Sequence, residues 1–440
     1  MKTLLNAVRL YLQVTVFLFQ FLFYRVAGWF VGGPTREKRI EWRNRKIYRS
    51  LRMLLQRMGA TFIKLGQILS SRPDLLPPDL VGELKHLQDR VPPFPFRKVE
   101  EAVRRNFGRP IADIYADFDN VPVAAASVAQ VHHAHLKSGE EVAVKVLRPN
   151  IREQVDRDLA IAGFFAWILD RLPVITLAQA GKQVAEFGAA IRAQTDLRVE
   201  AENNRRFQKN FAGVQWMKIP KLYAEFCSEE VLTMEFVRGA RIEEVTAPGK
   251  LALSPTEMAK RLFEVYIKMA FEDLFIHSDM HPGNLWFQPD GGVVMIDLGL
   301  ITQIKPTYLL SHYKVNFALW GLSAEKMAAA LDEAYGFPGT PEEFRAFTRD
   351  IDGVLDMMRG RKHSEIEFGE MMMRTFQLAF KYRMPFDSDA TMISVAYATF
   401  EGMSKMFDPH FDVFAFLISQ APRFKKKADE FGIKVDLVFG

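Results

Sequence analysis

Two polar motifs in the second half of the chain constrain its fold more than any other feature. The first, at 277–284, places Asp279 and Asn284 five residues apart. The second is an Asp-Leu-Gly triplet that begins at Asp297, thirteen residues after Asn284, and follows a strand-like run. In a phosphoryl-transfer site such an aspartate faces the acceptor, while an asparagine oxygen and a second carboxylate bind Mg²⁺. The spacing therefore predicts a kinase-like ATP site, with Asp279 catalytic and Asn284 and Asp297 as metal ligands.

A lysine earlier in the chain would supply the cation for the nucleotide phosphates. Lys145 ends a Val-Ala-Val-Lys run in a predicted strand at 141–146, where an unpaired ammonium group would be costly. A kinase-like site pairs this catalytic lysine with a carboxylate from the following helix, and we predict Glu200 for that role. Glu186 and Glu202 lie on the same predicted helix and stay open as alternatives. Each residue alone could be structural, but their order along the chain favours one site.

The loop that covers the phosphates in a typical kinase is rich in glycine, because its backbone approaches the ligand closely. This chain has alanines and a serine at that place, which predicts a stiffer loop and a different nucleotide geometry. A hinge that would bond adenine through its backbone follows the strand-like run at 231–236. The residues predicted to contact the nucleotide, besides Lys145 and Glu200, are Ala124, Ala125, Ala126, Ser127, Glu235 and Val237.

The residue pattern indicates mixed secondary structure. Alternation and turn residues predict a β-hairpin around 137–140, a turn at 288–292 and a strand at 219–223. Apolar residues at helical spacing predict helices at 151–170 and 177–211. The predicted fold is α+β and bilobal, with a small β-rich N-lobe and a helical C-lobe. Its predicted segments are a membrane-associating helix at 1–35, a helical extension at 36–118, the N-lobe at 119–240 and the C-lobe at 241–440.

The amino-terminal segment is apolar but short. Fifteen residues from Leu10 to Tyr24 carry no charge, and as a helix they would extend about 22 Å, less than a hydrocarbon core of about 30 Å. The polar residues of the predicted helix form one thin stripe along an otherwise apolar surface. A helix of this kind suits a membrane interface. A span with Arg25 reaching the headgroups and a helix packed on its own protein are the alternatives. Basic residues that favour anionic headgroups follow: Arg36, Lys38, Arg39, Arg43, Arg45, Lys46, Arg49, Arg52 and Arg57.

Composition excludes several classes of protein. With 440 residues, 49% of them hydrophobic and 25% charged, the chain can bury a large core and is not a disordered protein. Its 58 basic and 53 acidic residues give a net charge of +5, too even to indicate a nucleic-acid partner. The one cysteine, Cys227, cannot form an internal disulfide and fits a reducing compartment. We therefore expect a protein associated with the cytoplasmic face of a membrane.

Three groups of residues together are similar to a known family. They are the Lys-Leu-Gly-Gln run Lys64–Gln67, the alanine loop Ala124–Ser127 and the catalytic motif His277–Asn284. On these motifs the chain resembles the UbiB/AarF family of atypical protein-kinase-like proteins, from about residue 36 nearly to its end. The resemblance implies ATP and Mg²⁺ binding, weak or conditional ATPase activity, and support of ubiquinone or other isoprenoid-lipid metabolism at a membrane. Isoprenoid or anionic lipids and lipid-biosynthesis enzymes are the implied partners.

The resemblance also implies a regulatory element ahead of the kinase-like fold. A helix with Lys64, Gly66 and Gln67 would fold over the active site, where a protein substrate would otherwise dock, with Lys64 pointing toward the nucleotide. The family usually has Glu-x-Asp before its helix glutamate, whereas here Gln194 takes the first place. If that carboxylate holds Lys64, Asp196 must do so alone, and the inhibition would be looser. The pattern predicts no carboxy-terminal transmembrane pair of the kind common in the family.

Two other functions fit parts of the pattern. A non-catalytic scaffold regulated by nucleotide would retain the same residues. A small-molecule kinase of the aminoglycoside or choline type would share the catalytic spacing but would not explain the Lys64–Gln67 run. Metal binding by His132, His133 and His135 is a weaker hypothesis, because only the last two share a strand face and the sequence shows no third ligand.

Overall fold

The computed structural model describes residues 2–70, 76–87, 92–171, 180–247, 249–306, 308, 311, 314–315, 318–319, 321–361, 366, 368–384 and 388–430. These residues form two compact units. The first contains the described residues up to 201 together with 221–236, and the second contains 202–220 and the described residues from 237 onward.

Most of the described residues are helical. The helices are α1 (Lys2–Ala27), α2 (Arg36–Met58), α3 (Ala60–Ser70), α4 (Pro78–Leu84), α5 (Phe96–Phe107), α6 (Ile111–Ile114), α7 (Ile151–Leu169), α8 (Ala180–Ala193), α9 (Leu197–Asn210), α10 (Ile242–Val245), α11 (Pro255–Ile267), α12 (Ala324–Tyr335), α13 (Pro341–Leu355), α14 (Phe368–Lys381), α15 (Ser388–Phe407), α16 (Val413–Ser419) and α17 (Ala421–Glu430). The strands are β1 (Tyr115–Phe118), β2 (Ala124–Ala125), β3 (Ala129–Leu136), β4 (Glu141–Leu147), β5 (Met217–Lys218), β6 (Val231–Glu235), β7 (Phe275–His277), β8 (Leu285–Phe287), β9 (Val293–Met295) and β10 (Ile301–Gln303).

Helices α1 and α2 of the first unit pack antiparallel. Near one end the Tyr24 and Trp42 rings meet edge to face, with 5.9 Å between their centroids. Near the other end Gln13 Nε2 donates to the Arg57 carbonyl oxygen at 3.5 Å. In the part of the chain that the structure describes, no helix is both long and apolar enough to cross a membrane.

The sheet of the first unit is built around the predicted hairpin, which is confirmed. Strands β3 and β4 pair antiparallel with His135 opposite Glu141, and Gly139 takes a φ of 99° in the turn between them. The strand order is β1-β3-β4-β6, and β2 also pairs with β3. One face of this sheet packs on α5, where Val99 and Val144 are fully buried. The sheet thus fixes Lys145 in an interior strand, between β3 and β6.

The single helix predicted at 177–211 is wrong. Its first three residues lie outside the described residues, and beyond them α8 and α9 are separate helices with a break at 194–196. Asp196 interrupts the predicted helix, because its side chain accepts the Arg198 N–H at 3.1 Å and so caps the start of α9. Leu197 N–H bonds instead to the Glu229 carbonyl oxygen. The cap fixes where α9 begins, and therefore where Glu200 lies.

The strand predicted at 219–223 is also wrong. Strand β5 covers only Met217 and Lys218, and a lone bridge joins Leu222 to Met234. Pro220 explains the interruption, because proline has no N–H to donate to a sheet.

In the second unit, short strands lie among helices and carry the polar motifs. The sheets are β5-β9-β8 and β10-β7. The predicted turn at 288–292 joins β8 to β9: Gln288 N–H donates to the Gly292 carbonyl oxygen at 2.8 Å, and Gly291 has a φ of 83°. Helices α11 and α15 form the core beneath, where the Phe263 and Tyr397 rings are 5.2 Å apart.

Candidate functional site

In the first unit the structure places Glu200 beside Lys145. The Lys145 ammonium group donates to both carboxylate oxygens, at 2.9 and 2.8 Å. The two side chains are only 12% and 7% exposed. Lys145 lies in β4, opposite Val131 of β3 and Leu232 of β6, while Glu200 is in the first turn of α9. This buried ion pair is the geometry that kinase-like phosphate binding requires.

The alanine loop forms a tight turn in the same unit. Strand β2 pairs with β3, and Ala126 N–H donates to the Ala129 carbonyl oxygen at 2.8 Å. Arg148 Nε donates to the Ala126 carbonyl oxygen at 2.9 Å. None of the residues 124–127 has a positive φ, so the turn needs no glycine. Its contact with a nucleotide stays a prediction.

The Lys64–Gln67 run lies on α3, which packs closely on its neighbours. A Cβ on Gly66 would lie 2.3 Å from Leu87 Cδ1, so a larger residue at this position would force the Leu87 side chain to move. Gln67 Nε2 donates to the Leu87 carbonyl oxygen at 3.3 Å. Thr61 Oγ1 donates to Asp158 Oδ2 of α7 at 2.6 Å, which ties α3 to α7 within the first unit. The regulatory role of Lys64, Gly66 and Gln67 stays a prediction.

In the second unit, His277 joins the two polar motifs. Asp279 N–H donates to His277 Nδ1 at 3.2 Å, which places the ring proton on Nε2, 2.6 Å from the Asp297 carbonyl oxygen. Complete burial lowers the pKa of His277, despite the carbonyl of Asp297, and so favours this neutral form. The ring therefore holds the backbones of both aspartates.

The two predicted metal ligands, Asn284 and Asp297, differ in burial and in backbone conformation. Asn284 is buried, and its Nδ2 donates to the Asp279 carbonyl oxygen at 3.0 Å, which orients Oδ1 away from that bond. Asp297 is exposed and has a φ of 57°, a conformation that is rare outside glycine and asparagine. Oxygen donors of this kind suit Mg²⁺, so the chemistry of Asn284 and Asp297 fits the predicted ion.

Family models match most of the chain. The ABC1 atypical kinase-like domain matches residues 86–330, and the UbiB helical domain matches 351–412. The chain belongs to the ABC1/UbiB family. The kinase-like α+β fold and the family predicted from the sequence are therefore confirmed.

Three bacterial proteins align over most of this chain. A Synechocystis protein, "Uncharacterized protein sll1770", is 32% identical over 91% of this chain and 69% of its own length. Two proteins named "Probable protein kinase UbiB" also match. The one from Marinobacter nauticus is 31% identical over 83% of this chain and 68% of its own, and the one from Pseudomonas fluorescens is 33% identical over 82% and 69%.

Among solved structures, the Rv3197–erythromycin complex from Mycobacterium tuberculosis aligns with 79% of this chain and 92% of its own. The TM-score is 0.49 and the sequence identity is 23%.

Asp196, the carboxylate that remains beside the departure at Gln194, is paired with arginines. Its carboxylate lies 2.6 Å from Arg198 and 3.3 Å from Arg152. The hydrogen bonds from Arg198 outweigh partial burial and lower the pKa of Asp196. Gln194 precedes it at the end of the α8 segment, with its side chain half-buried. The proposed restraint of Lys64 by Asp196 stays a prediction.

The predicted hinge follows β6. Glu235 is the last residue of that strand, and Phe236 N–H donates to the Glu141 carbonyl oxygen at 3.1 Å. The chain then passes from the first unit to the second between Phe236 and Val237. Adenine binding at Glu235 and Val237 stays a prediction, as does the convergence of Lys145 and Asp297 on one triphosphate.

Sequence reasoning missed two residues that position the Asp-Leu-Gly triplet. His277 was seen only as part of a motif, and its signal is a histidine at a strand end, two residues before an aspartate. Asn203 on α9 donates from Nδ2 to the Leu298 carbonyl oxygen at 2.9 Å. It stands three residues after Glu200, but an asparagine on a polar helix carries no signal that a sequence alone could reveal.

Proposed function

We propose that this ABC1/UbiB protein binds Mg-ATP and hydrolyses it to support ubiquinone or other isoprenoid-lipid metabolism at a membrane. The observation that carries the proposal is the buried Lys145–Glu200 pair. An ion pair this far from water is of small value for stability alone, because desolvation offsets its Coulomb energy. Lys145 would hold the nucleotide phosphates, and Asn284 and Asp297 would hold Mg²⁺.

When bound, Mg²⁺ would neutralise charge that develops on the transferred phosphoryl group. The contribution of this chain is to place oxygen donors for the ion and to keep them in position. His277 and Asn203 do so through backbone carbonyl oxygens. Asp279 would orient the attacking group, whether water or another acceptor.

The amino-terminal helix supports the membrane part of the proposal. One side of α1 packs on α2, yet large apolar side chains elsewhere on it remain exposed, including Phe19 at 72% and Leu22 at 62%. The neighbouring α2 exposes basic residues, among them Arg36, Lys38 and Arg45. Apolar and cationic groups together favour the surface of an anionic bilayer. The cytoplasmic face of a membrane is the location we propose.

The first experiment measures ATP turnover with and without anionic liposomes. We expect Mg²⁺-dependent turnover that Asp297→Asn abolishes, while Asp113→Asn, an exposed aspartate on α6, leaves it unchanged. Equal rates in the wild type and Asp297→Asn would remove the enzymatic interpretation. Tight Mg-ATP binding without turnover in any lipid condition would favour the second candidate, a nucleotide-regulated scaffold for lipid or lipid-biosynthesis enzymes.

The second experiment measures sedimentation with anionic vesicles. The double variant Phe19→Ser and Leu22→Ser should lose binding, because it removes apolar contact area from the exposed side of α1. Val121→Ser, which alters an equally exposed apolar residue far from α1 in sequence, is the matched control. If the double variant sediments like the wild type, α1 does not bind the membrane.

A further inference from the structure

Two histidines and a glutamate cluster on one face of the first-unit sheet. His133 and His135 lie two residues apart on β3, so both side chains project from the same face of the sheet. Glu141, the first residue of β4, lies opposite His135 across the hairpin. One ligand atom from each of the three residues lies within 4.8 Å of the others. His133 Nε2 is 2.8 Å from Glu141 Oε1.

Each histidine is oriented by its own aspartate. His133 Nδ1 lies 3.0 Å from Asp119 Oδ2, and His135 Nδ1 lies 2.8 Å from Asp117 Oδ1. Asp117 is itself fixed, because the same oxygen accepts the backbone N–H of His135 at 2.9 Å. With Nδ1 held by an aspartate in both rings, Nε2 is the nitrogen of each ring that would face a shared ligand. In His133 this nitrogen now bonds to Glu141 Oε1, and a metal ion would replace that bond. Histidines that bind metals are commonly held by a carboxylate in this way.

We propose that His133 Nε2, His135 Nε2 and a Glu141 carboxylate oxygen bind one Zn²⁺ ion, with water as the fourth ligand. Two imidazole nitrogens and one carboxylate are a ligand set typical of zinc with an open position, whereas Mg²⁺ and Ca²⁺ prefer oxygen alone. Tetrahedral zinc needs ligand atoms about 3.3 Å apart. Side-chain rotations would have to lengthen the 2.8 Å separation of His133 Nε2 and Glu141 Oε1 and bring all three ligand atoms, now within 4.8 Å of one another, to that spacing.

The three side chains are partly open to solvent, so water can reach an ion bound between them. The side chains of His133, Glu141 and His135 are 20%, 28% and 39% exposed. The Phe236 ring meets the His133 ring edge to face at 4.7 Å and forms an apolar wall on one side. The same Phe236 donates its N–H to the Glu141 carbonyl oxygen. A bound ion would therefore link β3 to β4 beside the Phe236 ring.

The zinc site is distinct from the proposed magnesium ligands. Asn284 and Asp297 are oxygen donors of the second unit, whereas the histidine cluster belongs wholly to the first. Loss of zinc binding and loss of ATP turnover are therefore separable results.

The test is a titration of the full chain, free of affinity tags and stripped of metal, with Zn²⁺ against a chromophoric chelator. Millimolar Mg²⁺ is present throughout to occupy carboxylate sites. We expect one Zn²⁺ per chain, and affinity weakened by at least about tenfold in both His135→Gln and Glu141→Gln. Asp117→Asn, which alters the group that orients His135 but removes no ligand, should weaken binding less.

A matched control and a second readout make the result specific. His410→Gln alters an exposed histidine of the second unit and should bind zinc like the wild type. Co²⁺ in place of Zn²⁺ should give a tetrahedral visible absorption that is lost in His135→Gln. Absence of stoichiometric Zn²⁺ in the wild type, or wild-type affinity in both ligand variants, would overturn the proposal.

Discussion

In the first unit Lys145 is fixed by another side chain, whereas in the second unit Asp279 and Asp297 are fixed through their backbones. Lys145 and Glu200 are both buried and hold each other by charge. The second unit uses neutral His277 and Asn203, which bond to peptide groups and leave both carboxylates to other partners.

The two units should therefore lose different amounts of stability when these residues are substituted. A buried ion pair fails when one partner is lost, because the remaining charge has no water to solvate it. A backbone-held carboxylate can change identity without disturbing its support. We therefore expect stability to depend strongly on Lys145 and Glu200, and weakly on the carboxylate of Asp297.

The largest effect should come from Lys145→Met. It leaves the Glu200 carboxylate buried without its lysine, so we expect the free energy of unfolding to fall by about 3 kcal/mol. Urea denaturation measures this. The double variant Lys145→Met with Glu200→Gln should recover most of the loss because no buried charge remains. A loss below about 1 kcal/mol in the single variant would contradict the comparison.

His277→Phe should have the next largest effect. The ring of phenylalanine fills similar space but leaves the Asp279 N–H and the Asp297 carbonyl oxygen without this partner, at a cost of about 2 kcal/mol. The same denaturation assay applies. His86→Gln, at an exposed position of the first unit, should change stability by less than about 0.5 kcal/mol. Equal stability of both variants would mean that His277 does not support the motifs.

Two substitutions at Asp297 separate the effect of backbone strain on stability from the effect of removing the carboxylate. At a φ of 57° a β-branched residue is strained, so Asp297→Val should lose about 1 kcal/mol of unfolding free energy. Asp297→Asn should stay within about 0.5 kcal/mol of the wild type, because asparagine tolerates this conformation. If Asn destabilises as much as Val, the carboxylate itself holds the fold.

The smallest effect is a pH dependence at Asp158. Burial raises the pKa of the Asp158 carboxyl, although the hydrogen bond from Thr61 opposes it. The folded state thus binds the proton more tightly than the unfolded state, and stability from this group is lost as pH rises from about 3.8 through the folded pKa. Asp158→Asn should be more stable than the wild type at pH 7.5, by less than about 1 kcal/mol.

The difference in unfolding free energy between the wild type and Asp158→Asn should be smaller at pH 5 than at pH 7.5. At pH 5 the wild-type carboxyl is more protonated in the folded state. Unfolding free energies at the two pH values measure it. A difference that grows toward low pH would show that Asp158 is stabilised as an anion.

Local features of this fold were predictable and long-range ones were not. The β3–β4 hairpin and the turn at 288–292 follow from glycine and polar residues next to each other in sequence. Strands β1, β7 and β10 were missed, since each is three or four residues long and exists only through pairing with a distant strand. The break before α9 depends on the cap that Asp196 supplies.

The site shows the same division. The order of Lys145, Asp279, Asn284 and Asp297 identified a kinase-like chain, because order and spacing can be read directly from a sequence. Glu141 was not recognised as a neighbour of His133, because a hairpin joins residues that the sequence separates by eight positions.

The sequence by itself determined the family, the α+β fold class and the residue types available for nucleotide and metal chemistry, since these depend on composition, order and spacing. Only the tertiary structure decided which groups meet: Glu200 with Lys145, His277 with two backbones, and Glu141 with two histidines. Burial and hydrogen-bond direction arise when distant segments pack, and no local pattern contains them.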